Sequence, residues 1–193
     1  MGLGFKIKKR LSFLNFRYKK FGKRSIIYKP ILISGKKYIS IGDNVMIRNG
    51  ARIEAIHTHN NVIYDCSIFI GNNTNIEQGF HCTSAGVLKI GNNCDILPYV
   101  LITNINHTYN QIDRNVNEND FEVKDTIISD NCFIGMNAKI FPGVHIGKNV
   151  IIGANSIVMN DVDDYCVVAG TPAKVIKKYD FEKKEWLKVK EGK

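Results

Sequence analysis

His107 is the residue of this sequence whose type and position are best suited to acid–base chemistry. It closes the run I-T-N-I-N-H, and a polar segment without any repeat, residues 108–126, follows directly. An imidazole has an ordinary pKa of about 6.5 and can therefore accept a proton near neutral pH. Long irregular loops in compact domains are usually functional or disordered. We predict that His107 is a general base at the root of a functional loop, against the alternative of a surface histidine at a turn.

A repeat of six residues organises the chain on both sides of this segment. The opening residue of each block after the loop is aliphatic: Ile128, Ile134, Ile140, Ile146, Ile152 and Val158. The fifth place is small or β-branched, and the fourth is Asn, Gly or, in the last block, Asp. Asn and Gly enter left-handed backbone conformations at least cost, which favours a sharp corner. A period of six fits neither a helix nor a flat strand. It is typical of an all-β parallel β-helix.

The repeat divides the chain into three parts. Residues 1–40 are predicted to form a basic arm and a lead-in, and residues 41–163 the coil, from which the loop 108–126 protrudes. The phase slips over 57–67, which reads as a polar excursion. Residues 164–193 are predicted to contain a last strand, a turn and a short C-terminal helix that covers the open end of the coil.

The position of a binding site follows from the narrowness of such a coil. Its opening and fifth-place side chains fill the interior, so a pocket must form under the extruded loop or between neighbouring copies, and we expect an oligomer. The fourth-place rule fails in the two blocks that flank the loop, where Tyr99 and Ile105 stand. Local rules tend to fail where function is built. The site is therefore predicted to lie between Tyr99 and about Asp125.

The other histidines are weaker candidates. His81 and His145 occupy the sixth place of their blocks and should point outward at corners. If the phase survives the loop, His145 would lie one coil from His107, roughly 5 Å along the axis. His57 and His59 form an H-x-H pair without a third ligand nearby in the sequence, and are predicted to be structural. The sequence contains no Gly-rich phosphate loop, H-E-x-x-H or G-x-S-x-G motif.

The composition excludes several classes of protein. No apolar run approaches the ~20 residues that a membrane-spanning helix needs, and the apolar run near the start is too broken for a secretory signal. We expect a cytoplasmic protein. The five cysteines form no C-x-x-C pair, which argues against the common zinc and redox motifs. They are predicted to be small buried residues, with a catalytic cysteine as the minor alternative.

The positive charge is concentrated at the beginning of the chain. Nine cations and no acid precede Ser25, whereas the remainder is balanced, so the net charge of +9 resides in residues 1–24. Aromatic and aliphatic residues alternate with these cations. One hypothesis is an arm that lies on an anionic membrane at the inner face; the other is a solvated arm that partly docks on its own coil. Nucleic acid is not expected as a partner, because the body has no basic excess.

The run I-T-N-I-N-H-T-Y, the later blocks I-G-M-N-A-K-I-F-P-G-V-H-I-G-K-N-V-I-I-G-A-N-S-I-V and the ending A-G-T-P-A-K-V-I-K-K together resemble the hexapeptide-repeat acyltransferases. The similarity is greatest to the sugar and polysaccharide O-acetyltransferases and covers about Ile41 to Lys178. It implies a left-handed β-helix, a homotrimer with active sites between subunits, and acetyl-CoA as donor, with no metal. In the family the histidine at the place of His107 takes the proton from the acceptor hydroxyl, whose oxygen attacks the thioester directly.

The resemblance also implies roles for individual residues. The CoA contacts fall on Met136, Ala154 and Met159 along the pantetheine, and on Lys174 and Lys177 near the phosphates, for which a pair of lysines is suited as point charges. The acceptor contacts are assigned to Tyr99, Asn104, Tyr109 and Asp113. Asn104 stands where many relatives carry an acidic residue.

Three other functions remain open at this stage. One is a sugar-nucleotide N-acetyltransferase or a drug acetyltransferase on the same fold, since the acceptor loop decides the substrate. The second is a zinc hydratase of the carbonic-anhydrase type, which would need three imidazoles around one metal, such as His81, His107 and His145. The third is a scaffold without catalytic activity.

Overall fold

A computed structural model describes residues 17–189. The first two coils contain β1 (Lys20–Phe21), β2 (Ile26–Ile27), β3 (Leu32–Ser34), β4 (Ile39–Ile41), β5 (Met46–Ile47) and β6 (Arg52–Ala55), and a hairpin of β7 (Thr58–His59) and β8 (Val62–Ile63) follows. Coils three and four contain β9 (Ser67–Ile70), β10 (Asn75–Ile76), β11 (His81–Ser84), β12 (Val87–Ile90), β13 (Asp95–Ile96) and β14 (Leu101–Thr103). A second hairpin then pairs β15 (Ile105–His107) with β16 (Phe121–Val123).

The remaining strands complete the coil and close its end. Coils five and six contain β17 (Thr126–Ile128), β18 (Phe133–Ile134), β19 (Lys139–Ile140), β20 (His145–Ile146), β21 (Ile151–Ile152) and β22 (Ile157–Val158). The chain ends in β23 (Cys166–Gly170), β24 (Ala173–Asp180) and β25 (Glu185–Lys188). Short 3-10 helices lie in connections at Lys36–Tyr38 and Val116–Glu118. No helix within residues 17–189 has the length and apolar character needed to cross a membrane.

Three parallel sheets form the faces of this coil. The first face contains β1, β4, β9, β12, β17 and β20. The second contains β2, β5, β10, β13, β18, β21 and β23, extended by β24 and β25, and the third contains β3, β6, β11, β14, β19 and β22. The opening residues of the repeat stack in register, as in the pairs Ile41 with Ile70 and Ile90 with Ile128. They are almost completely buried, and each contributes roughly 1.5–3 kcal/mol of hydrophobic stabilisation.

The corners confirm the prediction made from the fourth place of the repeat. Backbone φ is positive at Asn44, Gly50, Asn73, Gly79, Asn93, Asn131, Asn137, Gly143, Asn149 and Asn155. Several of these side chains also bond from coil to coil: Asn44 Nδ2 donates to Asn73 Oδ1 over 2.9 Å, and Asn73 Nδ2 donates to Asn93 Oδ1 over 3.1 Å. The asparagines thus turn the chain and join neighbouring coils.

The coil begins earlier than the repeat suggested. β1, β2 and β3 add a complete coil before Ile41, paired in register with β4, β5 and β6. The predicted arm of residues 1–24 therefore includes a strand, Lys20–Phe21, and the lead-in of residues 25–40 belongs to the coil. Residues 1–16 of the arm lie outside the described part of the chain.

The predicted C-terminal helix is wrong. β24 runs antiparallel to β23, and β25 pairs with β24. The edge of β23 offers unpaired backbone groups, and a hairpin satisfies them where a helix would not. Aromatic side chains pack within this hairpin, because Tyr179 contacts Phe181 and Trp186 edge to face, with ring centroids 5.1 and 5.3 Å apart.

Both hairpins leave the coil at the corner between the third and the first face. We call residues 57–66 the short hairpin and residues 105–123 the long hairpin. The predicted loop 108–126 is thus the outer part of a hairpin, and Thr126 already belongs to β17. The same corner of the intervening coil is a tight turn in which Ala85 is buried. The two hairpins can therefore meet across this turn.

Candidate active site

A cleft of about 340 Å³ lies between the third face and the long hairpin. Its floor is formed by outward-facing side chains of three successive strands, β6, β11 and β14, which the register places in two rows: Arg52, His81 and Leu101 in one, and Glu54, Thr83 and Thr103 in the other. Ile105, His107 and Phe121 line it from the long hairpin. The polar floor arises because residues alternate between core and solvent along each strand.

The floor carries a network of polar groups. The guanidinium of Arg52 forms a hydrogen-bonded ion pair with Glu54, which raises the pKa of Arg52. The Nε2 atom of His81 lies 3.1 Å from the hydroxyl oxygen of Thr83. Burial, assisted by the charge of Arg52, lowers the pKa of His81 below its ordinary value despite the opposing effect of Glu54. His81 is therefore a neutral imidazole at pH 7, which can both donate and accept a hydrogen bond.

His107 ends β15 and lies at the edge of this cleft. It is opposite Phe121 in the antiparallel pair, and its ring stands nearly perpendicular to that of Phe121, with centroids 5.0 Å apart and planes at 85°. Edge-to-face geometry of this kind is a favourable aromatic contact. The imidazole is solvent-exposed in the single chain. His107 is thus directed by an aromatic neighbour and accessible to a substrate in the cleft.

The short hairpin holds the long hairpin in place. The hydroxyl of Tyr64 accepts a hydrogen bond of 3.0 Å from the backbone N–H of Phe121, and Nε2 of His59 lies 3.2 Å from the carbonyl oxygen of Asn119. Asn60 Nδ2 donates to the same carbonyl over 3.1 Å. The ring of His59 stacks on Phe121. These contacts tie residues some sixty positions apart.

Sequence reasoning missed this partnership and the floor of the cleft. Residues 57–67 were predicted only as a polar excursion, and His57 and His59 as structural. His57 does bond locally, with Nδ1 2.8 Å from the carbonyl oxygen of Tyr64. The sequence did contain a signal for this contact, because both long interruptions of the repeat occur after the third strand of a coil. Interruptions at the same corner on nearby coils must lie side by side.

Asn104, predicted to contact the acceptor, is not exposed to the cleft. It is fully buried, and its Oδ1 accepts a hydrogen bond of 3.0 Å from the backbone N–H of Ala85. Within residues 17–189 its Nδ2 has no hydrogen-bond partner. Asn104 thus joins the tight turn of coil three to the root of the long hairpin. This burial argues against the acceptor assignment, and the sequence did not reveal that the position faces the interior.

The other predicted acceptor residues are dispersed. Tyr99 lies at the opposite edge of the third face, where it has a φ of 62° and is 59% exposed. Its ring covers Gly79 and leaves no room there for a side chain. Tyr109 and Asp113 are exposed on the outer part of the long hairpin. None of the three lines the cleft.

The predicted donor residues fall into three places. Met136 and Ala154 lie at one corner on successive coils, where the N–H of Asn155 donates to the carbonyl of Met136 over 2.8 Å. Met159 follows β22 at the other edge of the third face and is 54% exposed. Lys174 and Lys177 lie on β24, opposite Ala169 and Val167. All of these positions belong to the last coils and the closing hairpin.

His145 does not lie above His107. It pairs with Ile127 on the first face, because the long hairpin returns the chain to that face and shifts the phase. The three imidazoles of the hydratase hypothesis are therefore not gathered at one point. Residues 17–189 contain no group of three or more His, Cys, Asp or Glu side chains placed to hold a metal ion.

Comparison with known proteins identifies the family. Residues 125–159 match the sequence profile described as the hexapeptide repeat of succinyl-transferase. The chain is 31% identical over 170 residues to the putative lipopolysaccharide biosynthesis O-acetyl transferase WbbJ of Escherichia coli K12, across 84% of this chain and 83% of that protein. The chain belongs to the hexapeptide-repeat acetyltransferases. This confirms the predicted family, and the three-faced coil is its left-handed parallel β-helix.

Solved structures agree with this assignment. The acetyltransferase has a TM-score of 0.59 and 26% identity to a maltose O-acetyltransferase from Clostridium difficile 630, covering 90% of this chain and 76% of that one. It has a TM-score of 0.60 and 18% identity to AntD, an N-acyltransferase from Bacillus cereus solved with dTDP and 3-hydroxybutyryl-CoA, with 90% and 89% coverage. The latter likeness concerns the fold alone.

Proposed function

We propose that this acetyltransferase transfers the acetyl group of acetyl-CoA to a hydroxyl of a sugar unit in a cell-surface polysaccharide or its precursor. The observation that carries the proposal is the position of His107 at the edge of a cleft with a polar floor. The similarity to a lipopolysaccharide O-acetyl transferase over most of both chains supports the acceptor class.

His107 acts as the general base. It takes the proton of the acceptor hydroxyl while the oxygen forms a bond to the thioester carbonyl carbon. The tetrahedral intermediate then collapses, the C–S bond breaks, and the sulfur of CoA leaves with the proton returned by the imidazole. A base of this kind contributes a factor of roughly 10²–10⁴ in rate. The edge-on contact with Phe121 supports this role because it directs the ring.

The floor of the cleft binds the acceptor. Arg52 donates, Glu54 accepts, and the hydroxyls of Thr83 and Thr103 do both. Neutral His81 adds a further donor or acceptor. Closely spaced hydroxyls of a sugar ring require alternating donors and acceptors of this kind. Tyr109 and Asp113, on the outer part of the long hairpin, contact more distant parts of a larger glycan, and exposed Tyr99 offers a ring surface at the other edge of the face.

The donor binds along the last coils. The exposed side chains of Met136, Ala154 and Met159 provide an apolar path for the pantetheine. Lys174 and Lys177 on β24 supply positive charge for the CoA phosphates. Each site is completed by a neighbouring copy in a homotrimer, which would cover the open cleft. We place the enzyme in the cytoplasm, with contact to the inner face of the membrane through residues 1–24.

The experiment that tests this function uses the purified chain with radiolabelled acetyl-CoA. Neutral sugars, glycan fragments and amino-sugar nucleotides are offered as acceptors, and each product is treated with hydroxylamine, which cleaves acetyl esters and spares acetyl amides. We expect label in an ester on a sugar hydroxyl. Label that resists hydroxylamine would establish the N-acetyltransferase alternative. Mass spectrometry of surface glycans from cells with and without the gene should reveal one lost acetyl group.

A further inference from the structure

The first coil carries a basic rim. Eight cations lie between residues 17 and 37, and the first acid of the chain is Asp43. The cations are Arg17, Lys19, Lys20, Lys23, Arg24, Lys29, Lys36 and Lys37. From Asp43 to the end the chain has fifteen basic and eighteen acidic residues. The positive charge is therefore concentrated at one end of the coil, whereas the rest of the chain has a slight excess of acidic residues.

The coil distributes these cations around its whole perimeter. Lys20 lies on the first face, Lys23 and Arg24 at the next corner, Lys29 after the second strand, and Lys37 at the corner from which the hairpins leave on later coils. All five are exposed. None of the ion pairs formed by residues 17–189 involves a cation of this rim. The charges are thus available to an external anionic surface.

An apolar segment lies within the same rim. Tyr28, Ile31 and Leu32 are 43%, 77% and 39% exposed, and Lys29 and Pro30 separate Tyr28 from Ile31. Exposed apolar groups bordered by cations match an interface in which headgroups are anionic and acyl chains lie just beneath. A hydrated polyanion such as nucleic acid would use the cations but gives no comparable burial for an isoleucine.

These strands are also the edges of their sheets. Within the described residues β1, β2 and β3 each pair with a single strand. Lysines on edge strands can serve merely to prevent edge-to-edge association. That explanation accounts for the cations but not for the exposed apolar segment between them. The combination favours a surface that binds rather than one that only repels.

We propose that the basic rim of the first coil docks this protein end-on against an anionic lipid membrane. The contact is made by the folded coil and is distinct from any made by residues 1–16. Parallel strands of neighbouring coils lie about 4.8 Å apart. The floor of the cleft occupies coils two to four, and end-on docking holds it roughly 5–15 Å above the rim. On the proposed function, this height favours acceptors that are carried by membrane lipids.

The test compares two full-length variants with equal loss of charge. One is the rim variant, with Lys19→Gln, Lys20→Gln, Lys23→Gln and Lys29→Gln. The other is a matched control at the opposite end, with Lys148→Gln, Lys183→Gln, Lys184→Gln and Lys188→Gln. Binding is measured by flotation with vesicles of phosphatidylcholine and phosphatidylglycerol and with pure phosphatidylcholine. We expect the rim variant to bind the anionic vesicles about 100-fold more weakly and the control to stay within about threefold of the unsubstituted protein.

A second pair examines the apolar part. Ile31→Ser should reduce the binding that persists at high salt by about tenfold, whereas Ile63→Ser, at a similarly exposed isoleucine (73%) on the short hairpin, should not. Equal binding by the rim and control variants would overturn the proposal and assign the contact to residues 1–16. Self-association of the rim variant with unchanged vesicle binding would overturn it in favour of edge protection. Failure of the unsubstituted protein to bind anionic vesicles would also overturn it. None of these results depends on acetyl transfer.

Discussion

The imidazole of His59 lies flat against the phenyl ring of Phe121, with ring centroids 4.1 Å apart and planes inclined by 10°. The ring of Phe121 also contacts the ring of His107, edge to face. One aromatic ring thus connects a residue of the short hairpin to the proposed base. The orientation of His107 therefore depends on a segment of the chain that never lines the floor of the cleft.

Loss of His59 should slow acetyl transfer more than it weakens donor binding. An aromatic pair of this geometry contributes about 0.5–1.5 kcal/mol beyond its buried area, so His59→Ala should lower kcat by roughly threefold to tenfold, with KM for acetyl-CoA little changed. His59→Phe keeps the stack but loses the contact with the Asn119 carbonyl, and should recover most of the rate. A purely structural role would instead lower both variants' activity in proportion to their folded fraction, measured by circular dichroism.

Removal of the proposed base should abolish most turnover. His107→Ala is expected to lower kcat by about 100-fold or more while acetyl-CoA still binds, as measured by calorimetry. His145→Ala is the control, because that histidine is exposed on the first face. Full activity in the His107 variant would rule out the assignment.

If Lys174 and Lys177 bind the CoA phosphates, their loss should affect acetyl-CoA and dephospho-acetyl-CoA to different extents. Lys174→Ala combined with Lys177→Ala should raise KM for acetyl-CoA more than KM for dephospho-acetyl-CoA, because the second donor lacks the phosphate that attracts them. Lys183→Ala with Lys184→Ala removes the same charge from the turn of the closing hairpin and should not discriminate. If the two donors respond alike in both double variants, the lysines do not bind the phosphate.

Asn104 should affect stability rather than acceptor binding. Asn104→Ala leaves the N–H of buried Ala85 without its acceptor, which costs about 1–3 kcal/mol, and loss of the Nδ2 that is unpaired within residues 17–189 offsets part of that cost. Urea unfolding should therefore show a lower free energy of unfolding, whereas KM for the acceptor in the folded variant should stay unchanged. Asn106→Ala, at an exposed position two residues later, should leave the unfolding midpoint where it was.

The five cysteines should be unreactive in the native protein. All are buried, which keeps a reagent away from their sulfur atoms. Burial also raises the pKa of the Cys66, Cys82 and Cys166 thiols, whereas a hydrogen bond with Cys132 lowers the pKa of Cys94. A raised pKa leaves less thiolate at a given pH, and the thiolate is the reactive form. At pH 8 a disulfide reagent should label none of them within minutes, and all five after unfolding in guanidinium. Rapid labelling of the native chain would indicate that the coil opens locally.

The repeat made the coil predictable because the residues within each block determine the local structure of that block. The aliphatic side chain that opens a block faces the core, and the Asn or Gly at the fourth place forms the corner. Ile134 and Asn137 can therefore be placed without knowledge of any distant residue. Tyr99 keeps the left-handed corner although a bulky residue there is strained. The family and the acetyltransferase activity followed from the same blocks, and both were confirmed.

The arrangement at the cleft was beyond the reach of such local rules. His59 and Phe121 come together only because two aperiodic segments extend from the same corner of the coil. The sequence of neither segment indicates that it contacts the other. The burial of Asn104 could not be predicted from its block, because it depends on the tight turn at Ala85. The predicted C-terminal helix was wrong because the open edge of β23 outweighed the local preference of residues 180–189.

The common corner of the two hairpins also restricts how this chain can change during evolution. The hairpins are separated by two whole coils, and each coil adds about 4.8 Å along the axis. Duplication of a coil between Ala55 and Asn104 would preserve every core isoleucine and every asparagine corner, yet would carry Tyr64 out of reach of Phe121. The contact between the hairpins thus tolerates growth or loss of repeats before the first hairpin or after the second, while the number of coils between them must be conserved.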